Sequence, residues 1–415
     1  GHAGEATEVS LVGWNLPVNN LVLNGNHALE GHRLLQLTSE VWAANTIRFA
    51  EGQLPESFYA EPNDHREKDQ LVKWPALVNG RIDRAGDLDF FAIDAAAGDE
   101  LVVEVHARRL QSPLDSILEV TDARGQRVAV NDDNEDHGSG LTTHHADSRV
   151  LVTMPENGRY QLRLADTQRH GGDEYAYRLR IDRVRPDYEL RVVPSSINMP
   201  AGATLPITVY AMRRDGFDGD IQLSLAGDPR GFRLSGAWVP SGQDQVQLTL
   251  TAPPVGADKP MPLSIEGTAT IDGRVVRRRA VPAEDMMQAF IYHHLVPSQD
   301  LLVAVNARGR MRARVQVAES QPVGIPAGGT HRIRIAIPRF TRQAGIEFEL
   351  HQPPEGISLE DVVNLPQGVA LVLNADADQI EPGVKGNLIV NAFVVRNVGA
   401  NTAGNKRRIP VGTLP

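Results

Sequence analysis

Short runs of alternating apolar and polar residues, each closed by a turn signal, recur from one end of the chain to the other. ELVVEVHA (100–107), DSILEVTD (115–122), RVLVTMP (149–155), YQLRLAD (160–166) and YAYRLRID (175–182) carry the period of two that turns one face of a strand inward. ARGQR, PENGR and RHGGDE between them supply the Gly, Pro and polar residues that reverse a chain. Helical periodicity is almost absent. Its one candidate, DMMQAFIYHH at 285–294, has a mixed pattern and reads as strand or connector. The intervals predict an all-β, multidomain array of β-sandwiches.

The same pattern divides the chain. VSLVGWNL, NLVLNG, RLLQLTS and NTIRFAEG predict a small β-module over residues 1–58, or the latter part of one, and LPESFYAEPND reads as the linker that leaves it. A β-domain over 59–183 follows, with VRPDYEL as its exit. The rest contains an internal repeat. Pro200-Ala201-Gly202-Ala203-Thr204 corresponds to Pro326-Ala327-Gly328-Gly329-Thr330, and the strand opened by Gly219-Asp220-Ile221 to that opened by Gly345-Ile346. Pro229-Arg230-Gly231-Phe232 meets Pro354-Glu355-Gly356-Ile357, VQLTLTA (246–252) meets VALVLNA (369–375), and RRRAVP (277–282) meets KRRIPV (406–411). Five matches in order predict two copies of one sandwich, over 184–284 and 285–415, each of immunoglobulin-like size.

A length of 415 residues, 41% hydrophobic, is enough for two to four such domains. The formal charge of −10 argues against a surface that tracks phosphates, so nucleic acid is not expected as a partner. The acidity is concentrated: residues 61–183 hold 24 Asp and Glu against 16 Lys and Arg, a net of −8. That segment is where cations would go. Cysteine is absent, which removes disulfides, thiol nucleophiles and Cys-based zinc sites. No apolar run has the length of a membrane span and no leader opens the sequence. Gly1-His2-Ala3 resembles a tag remnant, and the chain reads as a piece of a longer protein that works outside the cell, at its surface or in the periplasm.

Within the acidic segment, Glu61-Pro62-Asn63-Asp64 and Asp87-Leu88-Asp89 pack hard oxygen donors into very few residues. Ca²⁺ takes six to eight oxygens from carboxylates, amide carbonyls and backbone. Glu61, Asn63 and Asp64 offer several from an extended segment, while Asp87 and Asp89 point to one side of a strand by the period of two. A structural Ca²⁺ there would clamp the linker onto the sandwich. The competing reading is an Asx-type turn at 61–64 and a solvated turn at 87–89.

From Glu61-Pro62-Asn63-Asp64 through LVNGRID, Gly86-Asp87-Leu88-Asp89-Phe90-Phe91, AAAGDELVVEV, SPLDSILEVTDARG, VNDD and ENGRYQLRLAD to YAYRLRI, the segment resembles the bacterial pre-peptidase C-terminal domain. It is similar to the collagen-binding domains of bacterial collagenases. The resemblance implies a jelly-roll-like β-sandwich beside secreted proteases or in large surface proteins, and calcium ligands at Glu61, Asn63, Asp64, Asp87 and Asp89. The collagen-binding relatives carry a further acid two residues before the Glu, where this chain has Tyr59, which implies weaker binding or one ion fewer. Their exposed tyrosines are matched only by Tyr175 and Tyr177, so collagen specificity does not carry across. The two later copies resemble the immunoglobulin-like repeats that follow such a domain.

Other chemistry is thin. Asn131-Asp132-Asp133-Asn134-Glu135-Asp136 fails as an EF-hand, because His137 stands where glycine is needed and Thr143 where glutamate is needed. His137, His144 and His145 offer imidazoles for a transition metal, but adjacent histidines diverge on a strand, which favours a polar loop. Ser139, beside His137 and Asp147, lacks the flanking glycines of a nucleophile elbow. No HExxH or Walker loop is present. Of the four tryptophans, Trp14 and Trp74 sit beside turns or prolines and read as packing lids. The sequence therefore predicts a monomeric, non-catalytic protein for adhesion, substrate targeting or spacing, with an extracellular polysaccharide or protein as ligand. The alternative is an accessory region of a larger secreted hydrolase or protease.

Overall fold

The computed structural model describes residues 6–11, 16, 18–24, 31–36, 43–134, 147–287, 293–307, 315–319, 322–337, 346–397 and 406–414. Among them, regular structure is strand apart from two single turns of 3₁₀ helix, at Arg66–Lys68 and Arg108–Leu110. The all-β expectation holds. No described helix is long and apolar enough to cross a membrane. The chain forms two compact units, Gly1–Pro186 and Asp187–Pro415.

In the first unit, β1 (Ala6–Ser10) pairs with β2 (Asn20–Asn24), and β3 (Gly31–Leu35) with β4 (Ile47–Glu51), as two antiparallel hairpin ladders. Two five-stranded sheets follow. One contains, in spatial order, β12 (Arg149–Thr153), β9 (Glu100–His106), β14 (Ala176–Arg183), β7 (Ala76–Arg81) and β5 (Glu56–Phe58). The other contains β11 (Arg127–Asn131), β10 (Ser116–Thr121), β13 (Gly158–Asp166), β8 (Leu88–Ala95) and β6 (Gln70–Leu71). Every strand named from alternation is present, and the inward residues form one core that includes Val78, Phe91, Val103, Leu118, Leu162 and Leu179. β5 departs from expectation: Glu56–Phe58, read as linker, pairs in parallel with Leu77–Asn79. Three residues between a proline and a polar stretch carry no period, so only the partner strand reveals them.

The second unit repeats one arrangement twice. In the first copy, β15 (Asp187–Val193), β17 (Thr204–Arg214), β21 (Gln245–Thr251) and β19 (Arg233–Ser235) lie side by side. Facing strands are β20 (Trp238–Val239), β18 (Ile221–Leu225), β23 (Ile265–Ile271) and β24 (Arg274–Met287). β24 joins the layers, since Glu266–Ile271 pair with its first half, Leu190–Val192 run parallel to Ala280–Pro282, and β25 (His293–Pro297) pairs with its end. The ambiguous stretch at 285–294 is thus strand at both described ends. In the second copy, β27 (Gln316–Val317), β28 (Thr330–Ala336), β31 (Gly368–Ala375) and β30 (Ile357–Leu365) form one sheet. β29 (Ile346–His351), β32 (Ile389–Asn397) and β33 (Lys406–Leu414) form the other.

The copies agree down to their turns. Ala203 N–H donates to Pro200 O and Gly329 N–H to Pro326 O, both at 3.0 Å, around Gly202 and Gly328 at φ 70° and 72°. Phe232 N–H to Pro229 O and Ile357 N–H to Pro354 O both measure 3.1 Å, around Gly231 and Gly356, each at φ 83°. A positive φ of this size suits glycine, which explains why the PAG and PxG signatures survive in both.

One strand crosses the expected boundary. β26 (Leu301–Asn306) falls within the span 285–415 expected for the second copy, yet it pairs with β16 (Ser196–Pro200) and β22 (Met261–Leu263). Its Leu301, Val303 and Val305 are fully buried in the core of the first copy, whereas the core of the second begins at Val315. LLVAVN has the alternation of either copy, so pattern alone does not assign it.

Candidate metal centre

The oxygen donors come from two places in the first unit. Between β5 and β6 the chain passes from the edge of one sheet to the edge of the other, and Phe90 N–H donates to Asn63 O at 3.0 Å, which ties this segment to β8. Asp87 precedes β8 and Asp89 lies within it at a buried position. One carboxylate oxygen from each of Glu61, Asp87 and Asp89 lies within 4.8 Å of the other two. Asn63 and Asp89 are fully buried and Asp87 nearly so, whereas Glu61 is exposed.

Burial of this kind leaves polar atoms without partners. Asn63 Oδ1 and Nδ2, Asp87 Oδ1 and Asp89 Oδ1 are buried with no hydrogen-bond donor or acceptor. Buried polar atoms are nearly always paired, and each exception requires a cause. A cation drawing on these oxygens is one. The remaining oxygens are tied down: Asp83 N–H donates to Asp87 Oδ2 at 2.7 Å, Tyr177 Oη–H donates to Asp89 Oδ2, and Asn63 N–H donates to Glu61 Oε2 at 3.0 Å.

Without a cation the carboxylates disturb one another. Desolvation, then the neighbouring Asp87 and Glu61, push the Asp89 carboxyl up to about 7 against the pull of Tyr177 and Asn63. Asp87 is also raised, chiefly by desolvation and further by the neighbouring Asp64 and Glu61 carboxylates. Tyr177, buried against Asp89, is held well above the usual phenol range, mainly by desolvation. Carboxyls raised in this way keep their protons to higher pH than usual.

Asp64 is drawn elsewhere. Its Oδ1 accepts from Arg84 Nη2 at 2.8 Å, and the same nitrogen lies 3.8 Å from Asp87 Oδ1. Its interaction with the raised Asp87, followed by Arg84, lowers the Asp64 carboxyl. Of the predicted residues, Glu61, Asp87 and Asp89 therefore converge, Asn63 is buried close enough to Asp89 to influence it, and Asp64 is held by the Arg84 guanidinium. Tyr59 donates to Asp83 Oδ2 at 2.8 Å, and burial with that bond pushes its phenol up to about 12.

Sequence reading misses Gly80 and Arg84, and it treats Tyr177 only as a match to the exposed tyrosines of the collagen-binding domains, whereas Tyr177 is buried, 3% exposed. Tyr177 sits on β14 directly opposite Gly80 on β7. A Cβ at residue 80 would lie 2.4 Å from Tyr177 Cζ and Oη, so only glycine lets the ring cross β7 and reach Asp89. The alternation of YAYRLRI marks Tyr177 as inward; nothing in it names Asp89 as the partner.

Other candidates fare differently. His137, Ser139, His144 and His145 lie outside the described residues. Asp147 is buried and committed to structure, accepting from the backbone N–H of Ala107 and Arg108 at 3.0 and 2.7 Å and from Arg109 Nε at 2.7 Å. Trp74 is a packing lid as read, with its indole N–H on Asp94 O at 2.8 Å and Arg183 5.0 Å above the ring. Trp14 and Trp42 lie outside the described residues.

No family model matches the chain. A protein of Deinococcus radiodurans named as a "probable subtilase-type serine protease" is 30% identical over 108 residues, which is 25% of this chain and 14% of that protein. The chain thus spans about a seventh of that relative's length. Among solved structures, the pre-peptidase C-terminal domain of a collagenase from Bacillus anthracis matches at 12% identity and a TM-score of 0.22, over 29% of this chain and all of that domain.

Proposed function

We propose that the chain is a non-catalytic, extracellular or periplasmic accessory region of a larger secreted hydrolase, in which a structural Ca²⁺ fixes the segment at 61–64 onto a pre-peptidase C-terminal-like sandwich. The carrying observation is the convergence of Glu61, Asp87 and Asp89 around buried, unpartnered oxygens of Asn63, Asp87 and Asp89. Carboxylate and amide oxygens without imidazole or thiolate suit a hard cation such as Ca²⁺. The two later sandwiches act as immunoglobulin-like spacers. The partial likeness to a subtilase-type protease favours the accessory role. The domain limits we assign are 1–58, 59–183, 184–306 and 307–415, with the third extended to contain β26.

A second reading is adhesion or spacing within a surface protein that binds a polysaccharide or protein, which the duplicated sandwich favours. Sequence flanking this chain separates the two, since a catalytic domain alongside supports the accessory role and further sandwiches support adhesion.

The calcium reading is tested by melting the EDTA-treated protein before and after adding CaCl₂. At a hundred times its dissociation constant, Ca²⁺ adds about 2.7 kcal/mol to the first unit. An unchanged transition, with no calcium by elemental measurement after dialysis, rejects it.

A further inference from the structure

We infer that Arg84 is a resident counter-cation of this centre, competing with the divalent ion for Asp64 and Asp87 and so setting its affinity. The inference rests on the calcium reading above. Arg84 lies in the turn between β7 and β8, and its backbone is pinned on both sides. Asp87 N–H donates to Arg84 O at 3.1 Å, Gly86 N–H donates to Arg169 O at 3.0 Å, and a Cβ on Gly171 would lie 2.2 Å from Arg84 O. The side chain is by contrast 67% exposed and held only through its guanidinium, 2.8 Å from Asp64 and 3.8 Å from Asp87.

Four carboxylates, Glu61, Asp64, Asp87 and Asp89, share this corner with one guanidinium. A guanidinium stays charged at any working pH, so in the metal-free protein it neutralises part of the cluster permanently. Arrival of Ca²⁺ puts two like charges beside the same oxygens. Either Arg84 stays and repels the ion, or it swings into solvent and releases Asp64 to the ion. Both routes subtract from the intrinsic affinity of the oxygens. Asp64 is the switchable donor: it is drawn to Arg84 without the ion and is available once Arg84 leaves.

The test is Ca²⁺ titration calorimetry on the full chain, for the parent, Arg84→Gln, Arg84→Lys and the double variant Arg84→Gln/Asp64→Asn, each first checked for a cooperative metal-free melt. Removing one positive charge several ångströms from the ion tightens Ca²⁺ binding about fivefold in Arg84→Gln. Arg84→Lys, which keeps the charge, stays within about twofold of the parent, and the double variant loses the gain. Tb³⁺, with one more charge, shows a larger gain than Ca²⁺, which a merely structural role would not produce. A parent that binds while Arg84→Gln binds equally or more weakly, or equal gains for both ions, overturns the inference and leaves the calcium site standing. A parent that binds neither ion overturns both.

Discussion

Glu104→Gln lowers the stability of the first unit by about 3 kcal/mol at neutral pH, as read by urea denaturation, because it removes one partner from a buried charge network. Glu104 is 6% exposed on β9 and accepts from Arg109 Nη1 at 2.9 Å, with Arg180 Nη1 at 3.5 Å and His106 Nε2 at 3.6 Å. Arg109 also binds Asp147, and Arg180 binds Asp182, so the network keeps other anions and the loss falls at the lower end for a broken buried pair. Burial opposes ionisation of Glu104, yet Arg109 and His106 hold its carboxyl well below the usual range. A depressed folded pKa gives stability that is complete above the unfolded value and lost as pH falls. His106, lowered chiefly by desolvation and then by Arg109, acts in the same direction from a higher pH. Acid therefore destabilises this part of the parent in two stages, and Glu104→Gln removes the lower one. A variant with the parent's stability and acid profile contradicts the argument.

Asp89→Asn has opposite effects with and without metal. The Asp89 carboxyl is raised to about 7, so between the unfolded value near 4 and that pH the metal-free fold binds more protons than the unfolded chain. Its contribution is largest at low pH and is lost as pH rises through about 7. Three units correspond to about 4 kcal/mol between pH 4 and well above 7. Asparagine keeps an acceptor for Tyr177 and removes the charge, so the metal-free variant is more stable than the parent at pH 8 and loses the slope. With Asp89 as a ligand of the proposed Ca²⁺, affinity for that ion falls at least about a hundredfold, because a charged donor is gone. Melts of both proteins from pH 5 to 8, with EDTA and then with CaCl₂, read both effects. A variant that is less stable without metal, or that binds Ca²⁺ as tightly as the parent, removes Asp89 from the centre.

Strands were legible where one face of a sheet is core. Alternation placed β9, β10, β12, β13 and β14 because inward residues such as Val103, Leu118 and Leu179 must be apolar while their neighbours need not be. The repeat was legible because its turns need glycine at positive φ, which evolution cannot exchange freely. Membership was not legible: β5 and β26 are defined by the strands they pair with, many residues away. The site divides the same way. Glu61, Asn63, Asp87 and Asp89 announce themselves as clustered oxygens. Arg84, Tyr177 and Gly80 act through space, and a basic residue, an aromatic and a glycine in β-rich sequence have many commoner uses.

The return of β26 separates the unit that was duplicated from the unit that can be cut out. A fragment ending where the first sequence repeat ends, at 284, would discard Leu301, Val303 and Val305 and leave the hydrophobic ground beneath Ile197 and Leu263 open to water. A fragment carried through 306 retains its own lid. Anyone dissecting the chain module by module must cut after that lid, and a recombined or shuffled copy would have to bring the same strand with it.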